Sequence, residues 1–128
     1  MNKRSTGYMY LPVAKVKSRM SIRDIIDIVF SSSASYREIA LEVLTWIKDV
    51  SIENGRSELS VSRSELSSFI NRSFGKNRRS TAYKVLREFL IPMGLLSLDS
   101  ERGLYVVSRE FARALRRLAD AYEAWMKV

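Results

Sequence analysis

The stretch Lys76–Gly94, KNRRSTAYKVLREFLIPMG, carries two unlike patterns at once. Ala82, Val85, Leu86, Phe89, Leu90 and Met93 recur at the spacing that lines one side of an α-helix with apolar groups. Ser80, Tyr83, Lys84 and Arg87 recur at i, i+3, i+4 and i+7 on another side, with Arg78, Arg79 and Thr81 at the entry. From Leu66 to Arg87 the chain holds Arg72, Lys76, Arg78, Arg79, Lys84 and Arg87 and no carboxylate. An ordinary solvated helix face mixes charges at i+4, and here no acid appears before Glu88. A helix apolar on one side and cationic on the other is suited to be held by a scaffold and turned toward phosphates and base edges.

On the N-terminal side, Ser62-Arg63-Ser64-Glu65 has the form of a capping box and predicts a helix with Leu66, Phe69 and Ile70 inward. Phe74–Asn77 turns the chain, and Asn77 or Ser80 is the expected cap of the cationic helix. Further upstream, Ser35-Tyr36-Arg37-Glu38 predicts a helix to about Ile52, with Ile39, Val43, Leu44, Ile47 and Val50 inward and Trp46 on the flank. Glu53–Ser57 reads as a turn and Glu58–Val61 as a short strand. Ser21-Ile22-Arg23-Asp24 opens a shorter helix with Ile22, Ile25, Ile26 and Val29 on its buried side, broken by Ser31-Ser32-Ser33.

On the C-terminal side, Pro92 and Gly94 stop the helix, because proline breaks the hydrogen-bond ladder and glycine accepts a left-handed backbone. The period then changes to two. Leu96 and Leu98 alternate with Ser97 and Asp99, Asp99–Gly103 turns, and Leu104, Val106 and Ser108 return, which predicts a β-hairpin. A last helix follows, with Phe111, Leu115, Leu118, Tyr122 and Trp125 spaced 4, 3, 4 and 3 apart.

The 128 residues suffice for one domain with its own core. Cysteine, histidine and glutamine are all absent. That excludes disulfides, thiolate chemistry, cysteine-ligated zinc and the Ser-His-Asp constellation. Lack of Gln and Cys also fits a hot-living source. The five glycines are scattered, so there is no phosphate-cradling loop, and Asp24, Asp27, Glu38 and Glu42 are spaced like exposed helix faces. We therefore expect no enzyme, no metal and no cofactor. No apolar run nears the roughly 20 residues of a membrane span, and MNKRSTGYMYLPVAK has no signal-peptide core, so a cytoplasmic, nucleoid-associated protein is expected.

The net charge of +8 is unevenly placed. Residues 1–20 have five cations and no acid, and residues 56–87 have eight cations against two acids. Residues 21–55 are net acidic, and residues 88–128 balance. Clustered positive charge suits a polyanion, nucleic acid first among them. Residues 1–20, with Gly7, Pro12, Tyr8 and Tyr10, read as a basic arm or as one short strand through Tyr8–Val16.

Helix, short strand, helix, tight turn, basic helix and hairpin, in that order, resemble the winged helix-turn-helix superfamily. The resemblance covers Ser35–Ser108 and is most specific from Val61 to Val107. It implies a mainly α fold with a small β-hairpin wing, an N-terminal helix extension and a C-terminal dimerisation helix. Residues 21–128 would form one domain, with 35–108 as its core and 109–128 as the added helix. That added helix looks like the dimerising helix of small one-domain regulators, including archaeal ones similar to the MarR group. Ser62–Ser73 would brace, Arg78–Leu90 would read the major groove of double-stranded DNA, and Leu95–Ser108 would be the wing. The function implied is sequence-specific DNA binding by a homodimeric transcriptional regulator. Two alternatives stand beside it: a plasmid or viral replication, partition or chromosome-coating protein, and a protein-interaction module of transcription or replication machinery.

The residues expected at DNA are Arg78, Arg79, Ser80, Thr81, Tyr83, Lys84 and Arg87, with Lys76, and with Arg63 and Arg72 on the bracing helix. Ser64, Ser67, Ser68 and Arg56 rank below them. Arg102 is the one cation at the wing tip and sits beside Asp99 and Glu101, so either it alone enters a minor groove or the wing stays off the DNA. Phe111, Leu115, Leu118, Tyr122 and Trp125 are the expected dimer interface, unless they pack on Ile22–Val29 and Ile39–Val50 of their own chain.

Overall fold

The computed structural model describes residues 9–30 and 33–128. Lys3, Arg4, Gly7 and Tyr8 of the expected arm, and Ser31 and Ser32 of the serine break, lie outside the described residues. The elements are α1 (Ile22–Val29), α2 (Ala34–Glu53), β1 (Ser60–Ser62), α3 (Arg63–Ser73) and α4 (Lys76–Val85). A π-helical turn, Leu86–Leu90, prolongs α4, and β2 (Leu96–Asp99), β3 (Leu104–Val107) and α5 (Glu110–Met126) follow. The fold is mainly helical with a small antiparallel sheet in the order β1-β3-β2.

Serine caps set most helix starts. At α1 the Ser21 hydroxyl accepts the Asp24 N–H. At α3 the Ser62 hydroxyl accepts the Glu65 N–H at 3.1 Å, and Glu65 Oε1 accepts the Ser62 N–H at 2.8 Å, so the capping box is complete. At α2 the cap is Ser33, which accepts the Tyr36 N–H, and not the expected Ser35. Both serines offer the same chemistry, and the earlier one adds a half-turn of helix. α4 begins directly after Gly75, which has no side chain to cap it, so neither Asn77 nor Ser80 takes that role. Phe74, buried to 2%, anchors the chain one residue before, and the turn is complete by Gly75.

The core gathers Ile39, Val43 and Ile47 of α2, Leu66 and Ile70 of α3, and Ala82, Val85, Leu86 and Leu90 of the α4 unit. Val61 and Leu96 close it from the sheet, Ile26 and Val29 from α1, and Phe30 from the residue that ends α1. Trp46 stacks on Phe69 with ring centroids 4.3 Å apart, which fixes α2 against α3. In the π turn the Ile91 N–H reaches back to the Leu86 carbonyl, and this wider turn holds both Leu86 and Leu90 inward.

The strand expected at Glu58–Val61 lies at Ser60–Ser62 and pairs with β3, Val61 opposite Tyr105. β2 pairs with the other edge of β3, Leu98 opposite Tyr105. The buried Ser51 hydroxyl donates to the Ile47 carbonyl at 2.7 Å and accepts the Ser60 N–H at 2.9 Å, pinning β1 to α2. Arg56 donates to the Ser60 carbonyl at 2.6 Å and pairs with Glu65 at 2.7 Å, so it clamps β1 to α3.

Two apolar sides are less covered than expected. On α1, Ile26 and Val29 are buried, but Ile25 is half-buried and Ile22 is exposed. On α5 no residue is buried. Leu115, Leu118, Tyr122 and Trp125 are 37%, 59%, 61% and 78% exposed, and only Phe111 and Ala112 sit half-buried against the body. Phe111 packs against the core and shares a groove with Ile22, Ile25 and Leu44, whereas Leu118, Tyr122 and Trp125 stay exposed. In the described part of the expected arm strand, residues 9–16, the backbone forms a short 3-10 turn at Val13–Lys15.

Candidate nucleic-acid interface

The row Ala82–Val85–Leu86 faces the core, and this sets the phase of every other side chain on α4. Lys76, Asn77, Ser80, Lys84 and Arg87 lie on the side turned away from that row, and all five are exposed. Tyr83 and Thr81 flank them, half-buried. The Tyr83 hydroxyl lies 3.1 Å from the Ser67 hydroxyl, which ties this flank of α4 to α3. No segment of the described chain covers the outer row.

Within that row the cations are differently engaged. Lys76 and Arg87 make no ion pair among the described residues. Lys84 Nζ lies 5.7 Å from the centroid of the Tyr36 ring on α2. The Tyr36 side chain, and behind it the Glu88 carboxylate, raise the pKa of Lys84 above the ordinary lysine value, so it is a full cation. On α3, Arg63 and Arg72 are exposed, and Arg72 Nε donates to the Ser68 carbonyl at 3.4 Å. Ser64, Ser68 and Arg72 border a shallow groove between α2 and α3.

Arg78 and Arg79 are exposed but turn to the flanks. The Arg78 guanidinium lies over the Phe74 ring, 5.1 Å from its centroid, and pairs with Glu42 at 3.6 Å. Arg79 Nε donates to the Phe74 carbonyl at 3.4 Å. Their spacing explains the turn: Arg78 precedes Ala82 by four and Val85 by seven, and Arg79 precedes Ala82 by three and Leu86 by seven. Both belong to the edges of the buried side. Asn77 went unnamed among the contact residues, although it precedes Ser80 by three and Lys84 by seven and so shares their side. Tyr36, which orients Lys84 from another helix, has no sequence signal of that role.

The tip of the β2–β3 hairpin is closed on itself. Arg102 Nε pairs with Asp99 Oδ2 at 2.6 Å and Arg102 Nη1 with Glu58 Oε2 at 2.6 Å. The Glu58 and Asp99 carboxylates hold the guanidinium above its ordinary pKa, and Arg102 holds Asp99 below the usual carboxylate range. This arginine therefore bridges the hairpin to the segment before β1.

Among the described residues, no helix is long and apolar enough to cross a membrane, and no group of His, Cys, Asp and Glu is arranged to hold a metal ion. Comparison with protein-family models, with curated proteins and with solved structures finds no match.

Proposed function

We propose that this chain is a winged helix-turn-helix protein that binds double-stranded DNA through α4 and acts as a homodimeric transcriptional regulator. The observation that carries the reading is the outer side of α4. Lys76, Asn77, Ser80, Lys84 and Arg87 form one exposed row that holds no carboxylate, with Glu88 one turn beyond Lys84, on a helix whose opposite side buries Ala82, Val85 and Leu86. Arg63 and Arg72 of α3 add cations beside it. Its start at Gly75 lacks a side-chain cap, so the first N–H groups and the positive end of the helix dipole add to the same potential.

In this arrangement α3 braces α4, with the Trp46–Phe69 stack and the Ser67–Tyr83 contact fixing the angle between elements. Lys76, Arg72 and Arg63 meet phosphates and set register. Asn77, Ser80, Lys84 and Arg87 face base edges in the major groove, where a two-pronged arginine–guanine contact discriminates by about 1–3 kcal/mol. Arg102 contributes little, because its charge is already neutralised by two carboxylates, so the wing stays off the duplex. The exposed seam of α5 pairs two copies, and two reading helices then address a twofold-symmetric site.

A gel-shift titration with genomic duplex fragments at two salt concentrations tests the reading. A footprint of about six to eight phosphates loses about 10³–10⁵ in affinity between roughly 50 and 200 mM salt. Lys84→Ala and Arg87→Ala each weaken binding about tenfold without changing the melting temperature. Duplex affinity that ignores salt, or is intact in both variants, overturns the assignment.

A further inference from the structure

The seam of α5 leaves open which way a second copy runs and what covers the tryptophan at its far end. We propose that two copies pair through antiparallel α5 helices, and that Trp125 of each enters an apolar groove at the base of the other's α5. The proposal rests on the homodimer reading above and specifies its geometry.

The first observation is the arrangement of side chains around α5. Placed on a seven-residue repeat, Phe111, Leu115, Leu118, Tyr122 and Trp125 are the central seam. The flanking positions are Ala112, Ala114, Ala119, Ala121 and Met126. Every charge from Arg109 to Lys127 falls on the remaining, outward positions. Flanks without charge give no handle for selecting a different partner, and alanines let two identical helices approach closely. The occupant that fits such a face is the same helix from a second copy.

The second observation fixes direction. Residues 109–117 carry Arg109, Arg113, Arg116 and Arg117 against Glu110, whereas residues 118–127 carry Asp120 and Glu123 against Lys127. A parallel pair sets the arginine-rich halves side by side. An antiparallel pair brings each alongside the acidic half, a long-range preference because these charges point outward, and also opposes the helix dipoles favourably.

The third observation is a groove of about 490 Å³ where α5 leaves the body. Ile22 and Ile25 of α1, Leu44 of α2, Leu59, Leu95 and Val107 line it, with Phe111 at its rim. These include Ile22, which the chain leaves exposed, and Ile25, which it only half covers. With Leu115 opposite the partner's Leu118, Phe111 meets the partner's Tyr122. The partner's Trp125 then falls opposite Ser108, which borders this groove. Two heptads alone make a weak pair. Seating two tryptophans in two grooves extends the contact onto the bodies of both copies and covers the most exposed aromatic on the seam.

The chain has no cysteine, so introduced thiols report the register directly. In the proposed pair Ala114 lies beside the partner's Ala121, whereas Ala114 and its own copy are about 7–8 Å apart along the axis in addition to the spacing between the helices, beyond disulfide reach. Under mild oxidation, an equal mixture of Ala114→Cys and Ala121→Cys cross-links efficiently, and neither variant cross-links alone. Trp125→Ala and Ile22→Glu, both changes at exposed positions, each weaken dimerisation at least tenfold by sedimentation, with unchanged circular dichroism. Cross-linking of either single variant alone puts like positions beside one another, which the proposed register forbids, and overturns the geometry while sparing the homodimer. A dimer that cross-links in none of these mixtures runs its helices parallel or pairs through another surface, which also overturns it. A monomer at about 100 µM overturns both the geometry and the homodimer.

Discussion

α4 and α5 are both amphipathic helices rich in arginine, and they are unfinished on opposite sides. In α4 the apolar side is complete, with Ala82, Val85, Leu86 and Leu90 all buried, and the cationic side is open. In α5 the charged side is an ordinary mixture of Arg113, Arg116, Arg117, Asp120 and Glu123, and the apolar side is open. An exposed charge costs nothing in water, so the open side of α4 is stable as it stands and attracts a polyanion at a distance. Exposed Leu118, Tyr122 and Trp125 are a standing hydrophobic cost that only contact relieves. The molecule thus offers one surface tuned by electrostatics and one by the hydrophobic effect, on separate elements.

The sharpest way to break this comparison is to make the same truncation on each helix. Leu86→Ala, at a site with 2% exposure, is expected to cost about 2–5 kcal/mol of unfolding free energy. Leu118→Ala, at 59% exposure, should leave the dilute monomer within about 0.5 kcal/mol of the parent and act only on association. Urea unfolding at two protein concentrations separates the cases. Equal losses in dilute protein would mean that α5 is packed on its own chain in solution.

A smaller effect concerns the scaffold behind α4. Arg56, and then the Ser62 N–H, hold the Glu65 carboxyl below its ordinary pKa of 4.5. The folded value lies beneath the unfolded one, so this contribution is fully present above about pH 4.5 and is lost as pH falls through the folded value. Thermal melts from pH 7 down to pH 3 should show the parent losing stability below pH 4.5. Glu65→Gln should be less stable at neutral pH and lose less on acidification. A variant that parallels the parent at every pH would remove Glu65 from the account.

The smallest expected effect is at the β2–β3 hairpin. Arg102→Ala breaks two exposed, solvent-screened ion pairs that add little to stability, and should leave duplex affinity and its salt dependence unchanged. A loss of affinity comparable to that of Arg87→Ala would bring the hairpin onto the DNA.

Much of the architecture was legible because local signals agreed with long-range ones. The Ser62–Glu65 box, the period-two run from Leu96 to Val107 and the apolar stripe of α4 each predict the element observed. Ser33 displaced Ser35 because equivalent hydroxyls two residues apart give no basis for choice. Charge alone groups Arg78 and Arg79 with the open side, whereas their spacing from Ala82 puts them on the flanks. Pairing of β1 with β3 and closure of Arg102 by Glu58 join residues 44 apart in the chain in the second case, a proximity that no local pattern encodes.

Gly94 joins the two unfinished helices. Its φ of +82° ends the α4 unit, its carbonyl accepts the Phe111 N–H at 3.0 Å, and an added Cβ would stand 2.8 Å from that nitrogen. The direction in which α5 departs is therefore set by a residue that tolerates no side chain. In a dimer built on α5, that direction fixes how far apart the two α4 helices stand and how they are phased around the double helix. Operator geometry would then be decided at a position that touches neither the nucleic acid nor the partner.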